Sequence, residues 1–456
     1  IKYDPSGNIL FAFRIGNSGA DEIRGISADP SGNIYITGFF EGTVDFDPAL
    51  FSSFNLSAVG RDAFVAKYSS TGNFQWAVRI GDTGSDEGNR IFADANGVYL
   101  TGFCQSAAGF YSTNSTSLTS AATQTLSNFF GAKYSQAGVV QWVVSGGGSS
   151  AEVGQNVKAD NNNVFFIGNY FSDLVVYNAS GAVSTTVTSP SGSQSNVFVL
   201  AYNQSGAFSW ATNACSAGDD IGYGLSLDNS NVYICGGYQN QNLSLPHTIN
   251  TFTLPNAGGS DIFLAAITKT TGAFSWASTS TGSGSGDEVA MAMDRTITGD
   301  LIISGAFDNT LNYVLFGGPT VVSTSGNEDV FVTAFNATGS FLWATKGGGG
   351  NVDMPYSIAT NTNGSVYVGG EYATNAVFGT LTLLNFAGRN VFVGKTGCET
   401  VTNNTIVASV TVCAGSTVPT FTGSLPSGGV GAYTYQWQRS SNNFTWAPAA
   451  GTNTNL

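Results

Sequence analysis

The sequence predicts an all-β fold, a β-propeller built from repeated copies of one unit. The main observation is a set of five tryptophans spaced 66, 68, 66 and 67 residues apart, each four residues after a glycine: Trp76, Trp142, Trp210, Trp276 and Trp343. Between these markers, short alternating apolar runs are separated by clusters of Gly, Asn, Ser and Asp, as is typical of strands and turns. Each unit contains four such runs, which is the strand number of a propeller blade.

The first complete unit shows the predicted strands in order. Strand a covers residues 23–29 and is followed by the turn Pro30-Ser31-Gly32-Asn33 and by strand b, residues 34–39. A long b→c insertion precedes strand c, residues 63–68, and a turn at residues 70–73 leads to strand d, residues 74–80. The apolar runs, turn residues and spacing favour an antiparallel sheet of four strands.

The other units keep two landmarks. Strand b carries a glycine near its end in every unit: Gly38, Gly102, Gly168, Gly236, Gly305 and Gly370. Strand c opens with Asp or Asn two residues before a phenylalanine: Asp62, Asn128, Asn196, Asp261, Asp329 and Asn390. This regularity predicts six equivalent structural environments over residues 1–398.

The ends of the repeat array predict how the ring closes. The sixth unit has no strand d after Phe392, whereas residues 9–15 match a strand d in which Phe11 replaces tryptophan. Supplying this N-terminal strand to the last unit would remove two open sheet edges. We therefore expect a six-bladed propeller closed by its N-terminal strand. A seven-bladed ring is the alternative, because residues 1–4 also resemble a strand c.

Two segments carry a family resemblance. Asp29-Pro-Ser-Gly-Asn-Ile-Tyr-Ile-Thr-Gly38 and Asp62-Ala-Phe-Val-Ala-Lys67 resemble the SBBP-type β-propeller repeat of bacterial secreted proteins. The resemblance extends over about 85% of the chain through the G-x-x-x-W pattern. It implies a propeller in a secreted protein and no particular reaction, because fold does not define chemistry.

Residues 399–456 depart from the repeat. The segments Val410-Thr-Val-Cys-Ala-Gly-Ser416 and Gly431-Ala-Tyr-Thr-Tyr-Gln-Trp-Gln438 resemble the Ig-like or PKD-like modules of Bacteroidota surface proteins exported by type IX secretion. Such a sandwich usually needs about 100 residues, so we expect a truncated module. Cys398 and Cys413 flank the junction and could form a disulfide, while Cys104, Cys215 and Cys235 are expected to be small buried hydrophobes.

Composition restricts the partners. Only 10% of the residues are charged and the net charge is −14, so nucleic acids and anionic membranes are disfavoured. No apolar run approaches the length of a membrane-spanning helix. A weakly charged surface rich in Gly, Ser, Thr and Asn is expected for a secreted or cell-surface protein.

A repeated carboxylate is the main candidate site. Ten residues after the tryptophan or phenylalanine marker, or eleven in the fifth unit, the d→a loops place Asp21, Asp86, Glu152, Asp220, Asp287 and Asp353. One interpretation is an acidic ring at the channel mouth that binds Ca²⁺, another cation or sugar hydroxyls. The other, which we favour, is that each carboxylate accepts backbone N–H bonds within its own glycine-rich loop. No cofactor is otherwise expected.

Two cations stand out on the predicted inner strands. Arg90 and Lys158 occupy positions where other units have Gly, Ala, Ser or Asn. They could bind an anionic ligand in the channel, although pairing with the nearby acids is the simpler expectation.

No catalytic arrangement is recognisable. His247 is the only histidine and lies in an insertion, so neither a histidine-based triad nor a histidine metal site can form. The sequence predicts a non-enzymatic secreted or surface scaffold or adhesin, presenting a face of variable loops to a protein or glycan. The alternatives are a glycan-binding or glycan-processing module at the channel mouth and a structural subunit of an extracellular filament or sheath.

Overall fold

The computed structural model describes residues 1–396, except 5–6, 123, 191–193, 283–285, 309, 314–317, 319, 323–326, 363 and 387, and the short segments 438–439 and 447–448. Its strands, in chain order, are β1 (Lys2–Tyr3), β2 (Ile9–Phe11), β3 (Glu22–Ala28), β4 (Ile34–Asp45), β5 (Asn55–Tyr68), β6 (Phe74–Ile80), β7 (Gly84–Asp94), β8 (Gly97–Gln105), β9 (Gly109–Tyr111), β10 (Ser117–Thr119), β11 (Ser127–Tyr134), β12 (Val140–Gly147), β13 (Glu152–Ala159), β14 (Asn163–Tyr170), β15 (Leu174–Tyr177), β16 (Val183–Val187), β17 (Asn196–Asn203), β18 (Phe208–Ala214), β19 (Asp220–Leu227), β20 (Asn231–Gln239), β21 (Leu243–Pro246), β22 (Thr251–Leu254), β23 (Ser260–Thr268), β24 (Phe274–Thr279), β25 (Thr281–Gly282), β26 (Glu288–Arg295), β27 (Leu301–Phe307), β28 (Thr310–Asn312), β29 (Thr320–Val322), β30 (Asp329–Phe335), β31 (Phe341–Gly348), β32 (Met354–Thr360), β33 (Val366–Tyr372), β34 (Ala376–Phe378), β35 (Leu381–Leu383), β36 (Asn390–Thr396), β37 (Gln438–Arg439) and β38 (Ala447–Pro448).

The predicted a–b–c–d order is present in the sheets. Units 1 to 5 form the antiparallel sets β3–β6, β7-β8-β11-β12, β13-β14-β17-β18, β19-β20-β23-β24 and β26-β27-β30-β31, and unit 6 forms the three-stranded set β32-β33-β36. The prediction of an all-β propeller fold is confirmed. The number of blades in a complete ring stays a prediction.

The hydrophobic core lies between consecutive units. Each main apolar cluster draws its members from two neighbouring sheets, for example Val199 and Trp210 of unit 3 with Leu225 and Phe263 of unit 4. The inner strands of consecutive units also contact one another from β3 to β32. The faces between blades therefore supply most of the buried apolar surface that stabilises the fold.

The tryptophans hold these junctions together. The indole N–H of Trp76, Trp142, Trp210 and Trp276 donates to a main-chain carbonyl in the next unit's c→d turn, over 3.1, 3.0, 2.7 and 3.2 Å. Each indole also lies against that turn's glycine, where an added Cβ would come within 2.7 to 3.0 Å of the ring system. The recurring Gly-to-Trp spacing thus reflects contacts between blades.

The strand-b glycines accommodate a repeated irregularity. In every unit strand a contains a β-bulge, at Arg24, Asn89, Gln155, Tyr223, Met291 and Tyr356. Beside each bulge, a strand-a carbonyl oxygen lies so close to the strand-b glycine that an added Cβ would stand 1.8 to 2.2 Å away. Only glycine fits there, which explains the repeated glycine within strand b.

The b→c insertions form hairpins that cross to the preceding unit. Strand d of one unit pairs with the insertion of the next: β6 with β9, β12 with β15, β25 with β28, β31 with β34, and Cys215 with Ser244 by an isolated bridge. Each outer strand therefore receives a further partner from the next unit along the chain.

The N-terminal strand does not close the ring as predicted. β2 pairs with β1, and among the described residues β36 pairs only with β33. The hairpin β1–β2 nevertheless packs on unit 1 as strands c and d of a preceding blade would. Lys2 Nζ donates to the Ser70 carbonyl over 2.8 Å, as Lys67 does to Gln136 over 3.1 Å at the next junction. The short strand β1 occupies the edge of β2 that β36 was expected to use, which is the physical reason for the difference.

The predicted C-terminal module lies almost entirely outside the described residues. There the structure records only the pairing of β37 with β38, and Cys398 and Cys413 are likewise outside the described ranges. The other three cysteines are buried free thiols, as predicted. No helix in the described ranges is long and apolar enough to cross a bilayer.

Candidate functional site

The carboxylates of the d→a loops act first as local caps. Five of them accept a hydrogen bond from the backbone N–H four residues earlier: Asp21 over 2.7 Å, Asp86 over 3.3 Å, Glu152 over 2.9 Å, Asp220 over 2.5 Å and Asp353 over 2.6 Å. Asp220 also accepts the hydroxyl of Ser216 over 2.7 Å. Asp21, Asp86 and Asp353 also accept an N–H at the end of strand b. This is the loop-capping arrangement that we favoured from the sequence.

The prediction of Asp287 was wrong by one residue in unit 5. Glu288 pairs across the sheet with Phe307, as Glu152 pairs with Tyr170 and Asp220 with Tyr238. Glu288 is fully buried, whereas Asp287 is exposed and accepts the Ser260 N–H over 3.1 Å. The d→a connection that leads into unit 5 is two residues longer than the others, because Glu288 lies 12 residues after Trp276 whereas Glu152 lies 10 after Trp142, so counting from Trp276 selects the wrong acid.

A second set of polar side chains lies beside the first. A Cβ at Gly81 would stand 2.6 Å from both Asp62 Oδ1 and Asp86 Oδ2, and one at Gly348 would contact both Asp329 and Asp353. The strand-c Asp and Asn residues therefore adjoin the loop carboxylates. The sequence showed both repeats but gave no signal that they meet at one junction.

Burial changes the acidity of these groups. It raises the pKa of Asp86 to about 7, of Glu152 to about 8, of Asp220 to about 7 and of Glu288 to about 9. The pKa of Asp353 is also raised, again mainly by burial. These carboxyls are inside the protein, with Asp21 alone half-exposed. In the described ranges no three His, Cys, Asp or Glu side chains form a group that could hold a metal ion, and Ca²⁺ or sugar binding at the ring stays a prediction.

These shifts predict a pH dependence of stability. Because the pKa of Glu152 is higher in the folded state, its contribution to stability is present below the unfolded pKa of about 4.3 and is lost as the pH rises through about 8. Asp86 and Asp220 act in the same direction. Melting temperatures should therefore fall as the pH rises from 5 to 9. Glu152→Gln should reduce that fall, because the glutamine side chain does not titrate. Its amide oxygen still accepts the Gly148 N–H, so the loop keeps its cap. Substitution of the exposed Asp82 by Asn is the control for loss of one charge. A pH profile unchanged by Glu152→Gln would contradict the assignment.

The channel cations do not pair with acids, contrary to the simpler expectation. Arg90 donates to the carbonyls of Arg24 over 2.9 Å, Asn89 over 3.0 Å and Tyr356 over 3.3 Å. Lys158 Nζ lies 5.1 Å from the ring centroid of Phe92. Neither forms an ion pair within the described part of the chain. Burial and the neighbouring Arg24 lower the pKa of Arg90.

The junction between units 1 and 2 carries a charge network. Glu87, which is buried, accepts hydrogen bonds from Arg24 of unit 1 and from Arg61 over 2.8 Å. Both guanidinium carbons lie over the ring of Phe39, at 5.0 and 4.3 Å from its centroid. The network ties units 1 and 2 together and its charges are satisfied internally. The sequence indicated no pairing of these residues, which lie on different strands.

The most exposed apolar group lies at the tip of the unit 1 insertion. Leu50 is 92% exposed and Phe51 fully exposed. Their turn is held by two aspartates: Asp45 accepts the N–H groups of Asp47 and Phe54, and Asp47 accepts the Ala49 N–H and the Ser52 hydroxyl. We call residues 45–54 the apolar tip. Four hydrogen bonds thus fix a turn that exposes two large apolar side chains to water. A partner that covered these side chains would gain free energy by burying their apolar surface.

Comparisons with known proteins agree with the repeat architecture. Residues 13–38 match the family profile described as "Beta-propeller repeat", and residues 402–456 match a "Domain of unknown function (DUF8696)". The chain is 26% identical over 435 residues to "Uncharacterized WD repeat-containing protein L264" of Acanthamoeba polyphaga mimivirus, covering 80% of this chain and 31% of that protein. The chain thus spans about a third of the length of this relative. Among solved structures, the "Crystal structure of WD40 beta propeller domain of Doa1" is 10% identical, with a TM-score of 0.35 over 78% of this chain and 92% of that one.

Proposed function

We propose that this chain is a non-enzymatic interaction scaffold of a secreted or cell-surface protein, which binds a protein partner through its insertion face. The apolar tip is the observation that carries the proposal. Apolar anchors at the centre of an interface contribute most of the binding energy, and preorganised anchors lose little entropy on binding. The aspartates that hold the turn supply this preorganisation for Leu50 and Phe51.

The chemistry of the other candidate residues supports a scaffold. Asp86, Glu152, Asp220 and Asp353 are buried and cap their own loops. The cations of the inner strands bond main-chain carbonyls or pack on a ring. Secretion, the Ig-like C-terminal module and export by the type IX route are parts of the same proposal, supported by the SBBP-type sequence pattern and the weakly charged composition. A ring of six or seven blades would place all insertions on one face.

The test compares two faces of the protein. Labelled chain is incubated with cells and extracellular material of the source organism, and the bound fraction is measured. The double variant Leu50→Ser, Phe51→Ser should weaken binding about tenfold or more, which is about 1.4 kcal/mol, without changing the melting temperature. The control is Ile297→Ser, because Ile297 is 71% exposed in an a→b turn on the opposite face. Equal binding by all three proteins would contradict the proposal.

The tip variant and one further variant test the glycan alternative. Its supporting observation is the cluster of Glu87, Arg24 and Phe39, which combines charges and an aromatic ring at the junction of units 1 and 2. A glycan-array signal that survives in the tip variant and disappears in Glu87→Gln would favour a glycan-binding module.

A further inference from the structure

Three acidic residues stand in a row across the first three strands of unit 5. β26 pairs with β27 and β27 pairs with β30, and one position beyond the last paired residues, on the insertion face, lie Asp287, Asp308 and Glu328. The Asp308 N–H donates to the Asp287 carbonyl over 3.1 Å. Opposed residues of an antiparallel pair are roughly 5 Å apart. We call these three residues, all at least partly exposed, the acidic row.

The strand-c position of the row differs between units. The residue that precedes the strand-c Asp or Asn is, from unit 1 to unit 6, Arg61, Ser127, Ser195, Ser260, Glu328 and Arg389. The two arginines form ion pairs with an acid of their own unit, Arg61 with Glu41 and Arg389 with Glu371. Unit 5 places a glutamate where units 1 and 6 supply the neutralising arginine.

No base of the chain compensates the acidic row. Between Lys269 and Lys346 the sequence contains one base, Arg295, which pairs with Leu301 at the opposite end of β26. None of the three acids forms an ion pair within the residues that the structure describes. On the opposite face, by contrast, Lys269 pairs with Asp160 over 2.6 Å. The negative charge of the row is therefore left to an external partner.

A buried carboxyl lies directly beneath the acidic row. Glu288 is fully buried, and neither of its carboxylate oxygens has a hydrogen-bond partner among the described residues. Burial and the charges of Asp261, Asp287 and Asp308 raise the pKa of Glu288. Burial and the charges of Asp287 and Asp308 also raise the pKa of Glu328. Carboxyls that repel one another in this way are stabilised by a bound cation.

The spacing of the row suits a guanidinium group. Its carboxylates do not form a group that could hold a metal ion in the described ranges, whereas a guanidinium is planar and carries five N–H donors. Unit 1 shows such a bridge: Arg61 donates from Nε and Nη2 to Glu41 over 3.1 and 3.0 Å, and from Nη1 to Glu87 over 2.8 Å. Unit 5 has the carboxylates of such a bridge without the arginine.

We propose that the acidic row receives an arginine side chain from a basic segment of the protein partner that the insertion face binds. The guanidinium lies over the row and bridges its carboxylates, as Arg61 bridges two acids in unit 1. The inference rests on the proposed function, because it states the charge of that partner. The net charge of −14 attracts a basic partner before contact is made.

The test measures binding of a short fluorescent peptide of alternating arginine and glycine to the full chain by fluorescence anisotropy. The row variant Asp287→Asn, Asp308→Asn, Glu328→Gln should weaken binding about tenfold or more, through loss of charge-assisted hydrogen bonds. Its melting temperature should not fall, because neighbouring like charges are removed. Glu328→Arg is a second variant, and it should weaken binding as strongly while using the residue that the fold accepts in units 1 and 6.

Two controls separate the row from the overall charge. One variant loses the same number of charges on the opposite face: Asp94→Asn, Asp228→Asn and Asp300→Asn. It should change the affinity by less than about twofold, because charges more than a Debye length away are largely screened. The second control is the same peptide with citrulline in place of arginine, which keeps the shape, loses the charge and should not bind.

The proposal is overturned if both triple variants weaken binding equally, or if the citrulline peptide binds as well as the arginine peptide. Displacement of the peptide by calcium chloride, but not by sodium chloride of equal ionic strength, would also overturn it in favour of a metal site. The tip variant Leu50→Ser, Phe51→Ser should bind the peptide normally. Failure of the acidic row to bind and failure of the apolar tip to bind are therefore separate results.

Discussion

Gly236→Ala should lower the free energy of unfolding by about 3 kcal/mol, at the upper end of the range for overpacked sites. The new Cβ would stand 1.9 Å from the Ile221 carbonyl oxygen and 2.8 Å from the Phe263 ring. Neither neighbour can move freely, because the carbonyl belongs to the bulged inner strand and the ring is buried between units 3 and 4. Relief requires a shift of the bulge, which would also displace Tyr223.

The measurement is denaturant unfolding followed by tryptophan fluorescence. An array of units can unfold in more than one step, so the transition that reports on units 3 to 5 should be compared between proteins. Gly394→Ala is the matched control, because its Cβ has ordinary space, and its transition should shift by less than about 0.5 kcal/mol. Similar shifts for the two variants would show that the close carbonyl approach does not constrain the position.

Trp210→Ala should destabilise the protein by about 3 to 5 kcal/mol, the range for removal of a buried large aromatic side chain. The indole is 9% exposed, packs against Phe165 at 5.9 Å and bonds the Lys269 carbonyl over 2.7 Å. Its loss leaves both a cavity at the junction of units 3 and 4 and an unpaired turn carbonyl. Since neighbouring units stabilise each other, unfolding should also become less cooperative.

Trp343→Ala is the internal comparison. Trp343 holds the same position in unit 5, but unit 6 contributes no c→d turn in the described residues, and this indole is only partly buried. Its removal should cost less than half as much as that of Trp210. A larger effect at Trp343 would contradict the assignment of the tryptophans to contacts with the following turn.

Features repeated in every unit were predictable from the sequence, because each repetition marks an equivalent environment. The regular spacing of the tryptophans, such as Trp76, belongs to this class, and so do the glycines repeated in strand b, such as Gly102. Both features correspond to contacts that recur from unit to unit. Loop capping by Asp86 was also predictable, since Gly-rich loops commonly have a side-chain acceptor.

Contacts between residues of different units could not be predicted from the repeat pattern. The sequence does not show that Arg24 and Glu87 meet, because they lie on inner strands of different sheets. The Glu288 position was missed because two additional loop residues shift the count from Trp276. Ring closure was predicted from the missing strand d of unit 6. The repeat pattern does not show whether β2 pairs with β36 or with β1. In the structure β2 pairs with β1, which is close to it in sequence.

The insertion hairpins give the chain a direction of assembly. Because β9 and β15 pair with the outer strands of units 1 and 2, each of these sheets acquires its last partner only after the b→c insertion of the following unit has been synthesised. A ribosome releasing this chain would expose β6, which ends at Ile80, until β9 begins at Gly109, which is roughly half a repeat length or a few seconds at about 5 to 20 residues per second. Folding would then proceed with a lag of about half a blade, and unit 6, which lends its hairpin β34–β35 backward, receives none in return within the described residues.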